Sequence, residues 1–165
     1  MAALTVGASA PDFTLNALHG SSFSLQDALA KGPVIAAFFK VSCPVCQFAF
    51  PYLERIYKTQ DASRATIVGI SQNDAKDTEK FMTQFGVTFP VLLEDPKSYA
   101  ASNAYGLTNV PTIFWIADDG TIEVSSVGWV KKEIEEIHRR VRDVYSQPPS
   151  PLFLPDEKIA EFRAG

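Results

Sequence analysis

Ala36-Ala37-Phe38-Phe39-Lys40-Val41-Ser42-Cys43-Pro44-Val45-Cys46 is the stretch that decides how this chain folds. It closes Val34–Phe39, a continuous run of six apolar residues. Such a run suits a β-strand covered on both faces, because neither set of alternating side chains meets water. A helical pattern follows, with Phe50, Leu53, Ile56 and Tyr57 at helical spacing. Ser42 is a candidate N-cap, and Pro44 falls in the first turn, where a missing N–H costs little. Pro51 lies inside the same pattern and is expected to kink the helix. The two cysteines therefore stand at a strand-to-helix junction.

Outward from this junction, apolar runs alternate with helical patterns. Asp12–Leu15 and Phe23–Leu25 alternate around Gly20 and predict a small N-terminal hairpin. Ala65–Ser71 predicts a second buried strand. The next helix is capped by Asn73 or Asp74, carries Phe81, Met82 and Phe85, and stops at Gly86. Val91–Leu93 predicts a short strand and Ser98–Tyr105 a short helix ended by Gly106. Thr112–Ala117 and Thr121–Val127 flank Asp118-Asp119-Gly120, a hairpin signal. Val130–Tyr145 predicts a last helix with Ile134, Ile137, Val141 and Val144 on one stripe. The order β-α-β-α-β-α-β-β-α implies an α/β fold: a mixed central sheet flanked by helices, with an N-terminal hairpin and an inserted βα unit.

Residues 1–145 read as one domain, since single domains commonly run to roughly 100–200 residues. From Ser146 the composition changes. Gln147-Pro148-Pro149-Ser150-Pro151 reads as a stiff linker, Leu152–Leu154 as a small apolar patch, and Asp156–Phe162 as one or two helical turns. The tail, 146–165, is expected to dock on its own domain; a disordered end and a partner-binding segment are the alternatives.

Composition narrows the function. Apolar residues make up 46% of the chain, which supports a packed core. The net charge is −4 and no basic cluster exceeds two residues, so nucleic acid is not an expected partner. No apolar run nears the roughly 20 residues that cross a membrane. Met1 to Pro11 shows neither a basic nor an apolar leader region. The expectation is a soluble, cytoplasmic protein, which a removed leader would reverse.

The chain has 2 cysteines, spaced as Cys-x-x-Cys. At a helix N-terminus, unpaired N–H groups and the helix dipole stabilise a thiolate. The second cysteine, one turn on, can attack a mixed disulfide and release the partner. Cys43 fits the attacking role and Cys46 the resolving one. Two structural thiols and half of a zinc site are the other readings. Zinc usually takes four ligands, and His19 and His138, the only histidines, stand at unrelated positions that read as surface. Trp115 and Trp129 read as core or edge residues, Phe39 as core beneath the site, and Glu94-Asp95 and Asp118-Asp119 as turns.

Ala36–Cys46, followed by Pro51, resembles the active-site strand and helix of thioredoxins. Val110-Pro111-Thr112 is similar to that family's second signature, a cis proline facing the disulfide. Gly7-Ala8-Ser9-Ala10-Pro11-Asp12-Phe13-Thr14-Leu15 resembles the opening of the redoxin branch, which covers AhpC/TSA peroxiredoxins and the membrane-associated thiol-disulfide oxidoreductases of bacteria. Gly69-Ile70-Ser71, Phe85–Val91 and Tyr105-Gly106-Leu107 extend the likeness, which covers about residues 5–145. It implies a thioredoxin-like fold and a thiol-disulfide oxidoreductase. Cys43 and Cys46 are then catalytic. Ser42, Pro44, Val45, Val110, Pro111 and Lys40 support or bind substrate, with Val110 and Pro111 offering backbone groups to a bound peptide.

Departures qualify the likeness. Peroxiredoxins place a threonine where Lys40 stands and an arginine where Pro111 stands; both help bind peroxide. Many thioredoxins carry tryptophan at the position of Ser42 and a buried aspartate at that of Ala37. Lys40 favours the Cys43 thiolate only if its side chain points to the sulfur. The expected partners are protein or small-molecule thiols and disulfides, with peroxide as an alternative substrate and a monomer or homodimer as the assembly. The third reading is a non-catalytic interaction domain. No metal or organic cofactor is expected, because the cysteines themselves carry the electrons.

Overall fold

The computed structural model describes residues 2–165. The N-terminal hairpin pairs β1 (Thr14–Ala17) with β2 (Ser22–Ser24), two residues further along on the first strand than the alternation predicts. Leu25 is not a strand residue. It opens a helix absent from the sequence reading, α1 (Leu25–Leu29), which Ser24 caps by accepting the Asp27 N–H. Five residues are too few to show a helical period. The remaining elements follow the predicted order: β3 (Val34–Phe39), α2 (Pro44–Tyr57), β4 (Thr66–Ser71), α3 (Ala75–Phe85), β5 (Val91–Leu93), α4 (Ala100–Ala104), β6 (Thr112–Ile116) and β7 (Ile122–Val127). Then come β8 (Trp129–Val130), α5 (Lys131–Val144) and β9 (Phe162–Arg163). Asp74 caps α3 through the Asp77 N–H, and Gly86 ends it in the left-handed conformation.

Seven strands form one sheet in the order β2-β1-β5-β4-β3-β6-β7. β3 runs parallel to β4, and β4 to β5, while β6 and β7 are antiparallel. Every residue of β3 is buried. Its alternating side chains supply two cores: Ile35, Ala37 and Phe39 on one face, Val34, Ala36 and Phe38 on the other. The first core joins α2, α3 and α5 to the sheet; the second joins α1 and α4. Among the described residues, no helix is long and apolar enough to cross a membrane.

The tail lies on the first face, and Asp156–Phe162 forms no helix. Residues 162–163 pair antiparallel with β8 instead. Leu152 is buried, and Phe153 packs on Tyr52 and Trp129. Arg55 holds Glu157 through two hydrogen bonds, at 2.7 and 3.0 Å, and donates to the Leu152 carbonyl. The Trp129 indole N–H donates to the Ala160 carbonyl at 2.7 Å.

Two sequence expectations are corrected by burial. His138 is not a surface residue; it is 5% exposed and faces the core one turn beyond Ile134. Its desolvation, and then the charge of Arg142, pull its pKa below the usual histidine value. Glu94 is not a turn residue in solvent. It is buried, and it accepts the Ser102 N–H at 2.8 Å and the Ser102 hydroxyl. His19 is exposed and sits 2.7 Å from Glu79. Trp115 and Trp129 are both buried.

Candidate active site

β3 ends at Phe39, and the chain turns through Lys40–Cys43 into α2. Cys43 itself is the N-cap; Ser42 is exposed and does not cap. The Cys43 backbone is extended, and its Sγ accepts the Cys46 N–H at 3.4 Å. Sulfur thus takes the place that a serine or aspartate oxygen usually holds. Pro44 occupies the first helical position, where no donor is lost. The helix runs on to Tyr57 with Pro51 inside it.

The two thiols have different surroundings. Cys43 is half-buried, whereas Cys46 is fully buried; both are free. Burial pushes the Cys46 thiol pKa well up, and a hydrogen bond with the Lys40 backbone offsets only part of that. A partly exposed sulfur therefore stands one turn from a buried, protonated one. Across from the pair, the Val110–Pro111 peptide bond is cis. The Cys43 thiol donates to the Val110 carbonyl at 3.4 Å, so this loop touches the sulfur directly. Thr112 Oγ1 donates to the Asn109 carbonyl and Gly128 N–H to the Pro111 carbonyl, each at 2.8 Å, which fixes the loop from both sides.

The structure brings together Ser42, Cys43, Pro44, Val45 and Cys46 on one turn with Val110 and Pro111 opposite. Lys40 comes just before them in the chain, directly after β3. It is exposed and lines a shallow cleft of about 180 Å³ with Gln72, Leu107, Thr108, Asn109 and Val110. Its backbone does the contacting: the Cys43 N–H donates to the Lys40 carbonyl at 3.3 Å.

Residues that the sequence did not assign to the site hold the turn in place. Asn73 Oδ1 accepts the Val41 N–H at 3.0 Å, and Gln47 Nε2 donates to the Val41 carbonyl at 2.9 Å. Asn73 N–H in turn donates to Ser71 Oγ at 3.1 Å, which shares a hydrogen bond with Thr78. Asn73 follows a buried strand, as a turn residue would, and nothing in its local sequence marks it as a partner for residue 41. Glu54 is a second buried carboxylate. It accepts N–H bonds from Thr88 and Phe89 at 2.7 and 3.2 Å, so it ties α2 to the segment that leads into β5. Among the described residues no cluster of three or more His, Cys, Asp or Glu side chains could hold a metal ion.

The AhpC/TSA family matches residues 6–125 of this chain. A protein named thiol-disulfide oxidoreductase ResA, from Geobacillus thermodenitrificans, is 33% identical over 132 residues, which is 79% of this chain and 74% of that one. Among solved structures, a thiol:disulfide interchange protein of the thioredoxin family from Chlorobium tepidum superposes with a TM-score of 0.69 at 27% identity. That match covers 86% of this chain and 99% of the other. The thioredoxin domain of a Bacteroides vulgatus thiol-disulfide oxidoreductase gives a TM-score of 0.74 at 23% identity, over 84% and 99% of the two chains, and shows the shared fold. By its matching residues, its sheet order and its paired cysteines, the chain belongs to the AhpC/TSA family, on the redoxin branch of the thioredoxin-like superfamily, and is an oxidoreductase.

Proposed function

We propose that Cys43 and Cys46 carry out thiol-disulfide exchange. The observation behind this reading is the unequal pair: a partly exposed sulfur at a helix N-cap, and a buried thiol one turn behind it. Cys43 thiolate attacks one sulfur of a partner disulfide. A Cys43–partner S–S bond forms, the partner bond breaks, and a partner thiolate leaves. Cys46 then gives up its proton and attacks Cys43 Sγ. The Cys43–Cys46 bond forms, and the second partner thiolate leaves. The partner gains two electrons and takes up two protons, one from Cys46 and one from solvent, and the pair is oxidised; the reverse sequence oxidises a dithiol. The Cys46 N–H, in the first turn of α2, is directed at the sulfur that bears charge.

Burial keeps Cys46 protonated, and a protonated thiol is a poor nucleophile, so Cys43 is the sulfur that attacks first. Protein or small-molecule disulfides are favoured over peroxide as substrates. Lys40 and Pro111 stand where a peroxide site would place its hydroxyl and guanidinium groups.

Cys43→Ser is expected to abolish insulin reduction by dithiothreitol above the uncatalysed background. Cys46→Ser is expected to accumulate mixed disulfides on Cys43. Retained insulin reduction in Cys43→Ser would refute the mechanism. Thiol-dependent loss of peroxide at a rate matching disulfide exchange would move the substrate assignment to peroxide.

A further inference from the structure

A partner that places its sulfur on Cys43 must lay its flanking chain near Val110, whose carbonyl touches that sulfur. Next to Val110 is an open cleft lined by Lys40, Gln72, Leu107, Thr108 and Asn109. The space between Val110, Gly128 and Phe48 is filled by the protein's own residues 162–165. Gly165 lies against the Val110 carbonyl, the same oxygen that accepts the Cys43 thiol. A Cβ on Gly165 would come within 2.3 Å of it. Asn109 Nδ2 donates to the Gly165 carbonyl at 3.0 Å. The Arg163 guanidinium stacks over Phe48, two residues past Cys46, at 4.2 Å from the ring centre. Gly128, with φ +74°, has no room for a side chain; its Cβ would meet the Arg163 carbonyl at 2.5 Å. The segment is extended and paired to β8, so it is bound in the manner of an added peptide strand.

The hold is uneven along the tail. Residues 152–161 are secured by Leu152, Phe153, the Arg55–Glu157 pair and the Trp129–Ala160 bond. Residues 161–165 are all exposed, and Phe162 is 61% exposed. Residues 162–165 can therefore lift away while the anchor stays, since local opening costs least where little apolar area is buried.

Resting on the exchange reading above, we propose that residues 162–165 are a specificity element: a built-in occupant of one flank of the cysteine pair. Small disulfides reach Cys43 with the segment in place. Polypeptide disulfides react only from the population in which it has lifted. The segment therefore sets the ratio between these two substrate classes.

The test compares the full chain with Gly165→Ala and with a chain lacking residues 162–165. Two ratios are read. The first is the rate of insulin reduction over the rate with a small aromatic disulfide. The second is the alkylation of Cys43 by a maleimide-bearing peptide over that by iodoacetamide, which needs no disulfide exchange. Both ratios are expected to rise in both variants, by about fivefold if the lifted state is a minor population in the full chain. An unchanged or lower alkylation ratio in both variants overturns the proposal. An exchange rate at background in the full chain, with a raised alkylation ratio in the variants, sinks the exchange reading and leaves the segment as a steric occupant. Gly165→Ala keeps the test sound if the shortened chain folds poorly.

Discussion

One face of the sheet packs Phe39 against Phe50 and Phe81, with ring centres 4.4 and 4.8 Å apart, beneath α2. The opposite face packs Phe38 against Tyr105 and Phe114, at 5.2 and 6.0 Å, beside α1 and α4. The two faces are similar in chemistry, and successive residues of one strand feed them. They differ in what they carry. The Phe39 face bears the helix that begins at Cys43, and the tail as well; the Phe38 face bears neither. The same kind of packing thus lies beneath the helix that Cys43 caps on one side and away from it on the other.

Phe50→Ala and Phe38→Ala break that contrast most sharply. Each removes a fully buried ring and is expected to cost about 3–5 kcal/mol in urea unfolding. Phe50 lies within α2, so its loss is expected also to lower the exchange rate of the molecules that remain folded. Phe38→Ala is expected to leave that rate near wild type. Equal rates in the two variants would show that the faces are not distinct in this way. Asn73→Ala comes next. It leaves the Val41 N–H without its acceptor, at a cost of about 1–3 kcal/mol, and loosens the turn before Cys43; unfolding and exchange rate measured together read both effects.

The smallest effect concerns the tail alone. Hydrogen bonds from Arg55 and from the Leu154 N–H hold the Glu157 carboxyl at about 2, below its ordinary 4.5. Its folded value is depressed, so its contribution is fully present above pH 4.5 and is lost as pH falls from there towards 2. Trp129 fluorescence is expected to report tail loosening in that window, because Phe153 and Ala160 both touch the indole. In Glu157→Gln the acid-dependent change is expected to disappear. A window unchanged by the substitution would place the titrating group elsewhere.

The sheet was legible wherever local pattern governs. Val34–Phe39 reads as a buried strand and is one; the Asp74 cap and the Gly86 stop delimit α3 as their chemistry predicts. Legibility failed where the deciding partner is remote. The pairing of residues 162–163 with Trp129–Val130 joins segments far apart in the chain. Glu94 reads as a turn until Ser102 supplies its two donors. His138 was open to a closer reading, since it stands four residues after Ile134 on the buried stripe of α5. At the cysteines the spacing was plain, and the cap was not: serine is the usual N-cap, and here the sulfur next to it does the capping.

In the exchange proposed above, that cap links helix stability to electron transfer. A sulfur in a disulfide accepts hydrogen bonds less well than a thiolate, so oxidation weakens the contact with the Cys46 N–H. Whatever free energy the contact gives to the reduced form alone moves the midpoint of the couple by a proportionate voltage. A cap worth about 1 kcal/mol corresponds to about 20 mV for two electrons. Changes along α2 that never touch sulfur, by altering how firmly its first turn is wound, therefore become adjustments of the potential at which the protein exchanges electrons.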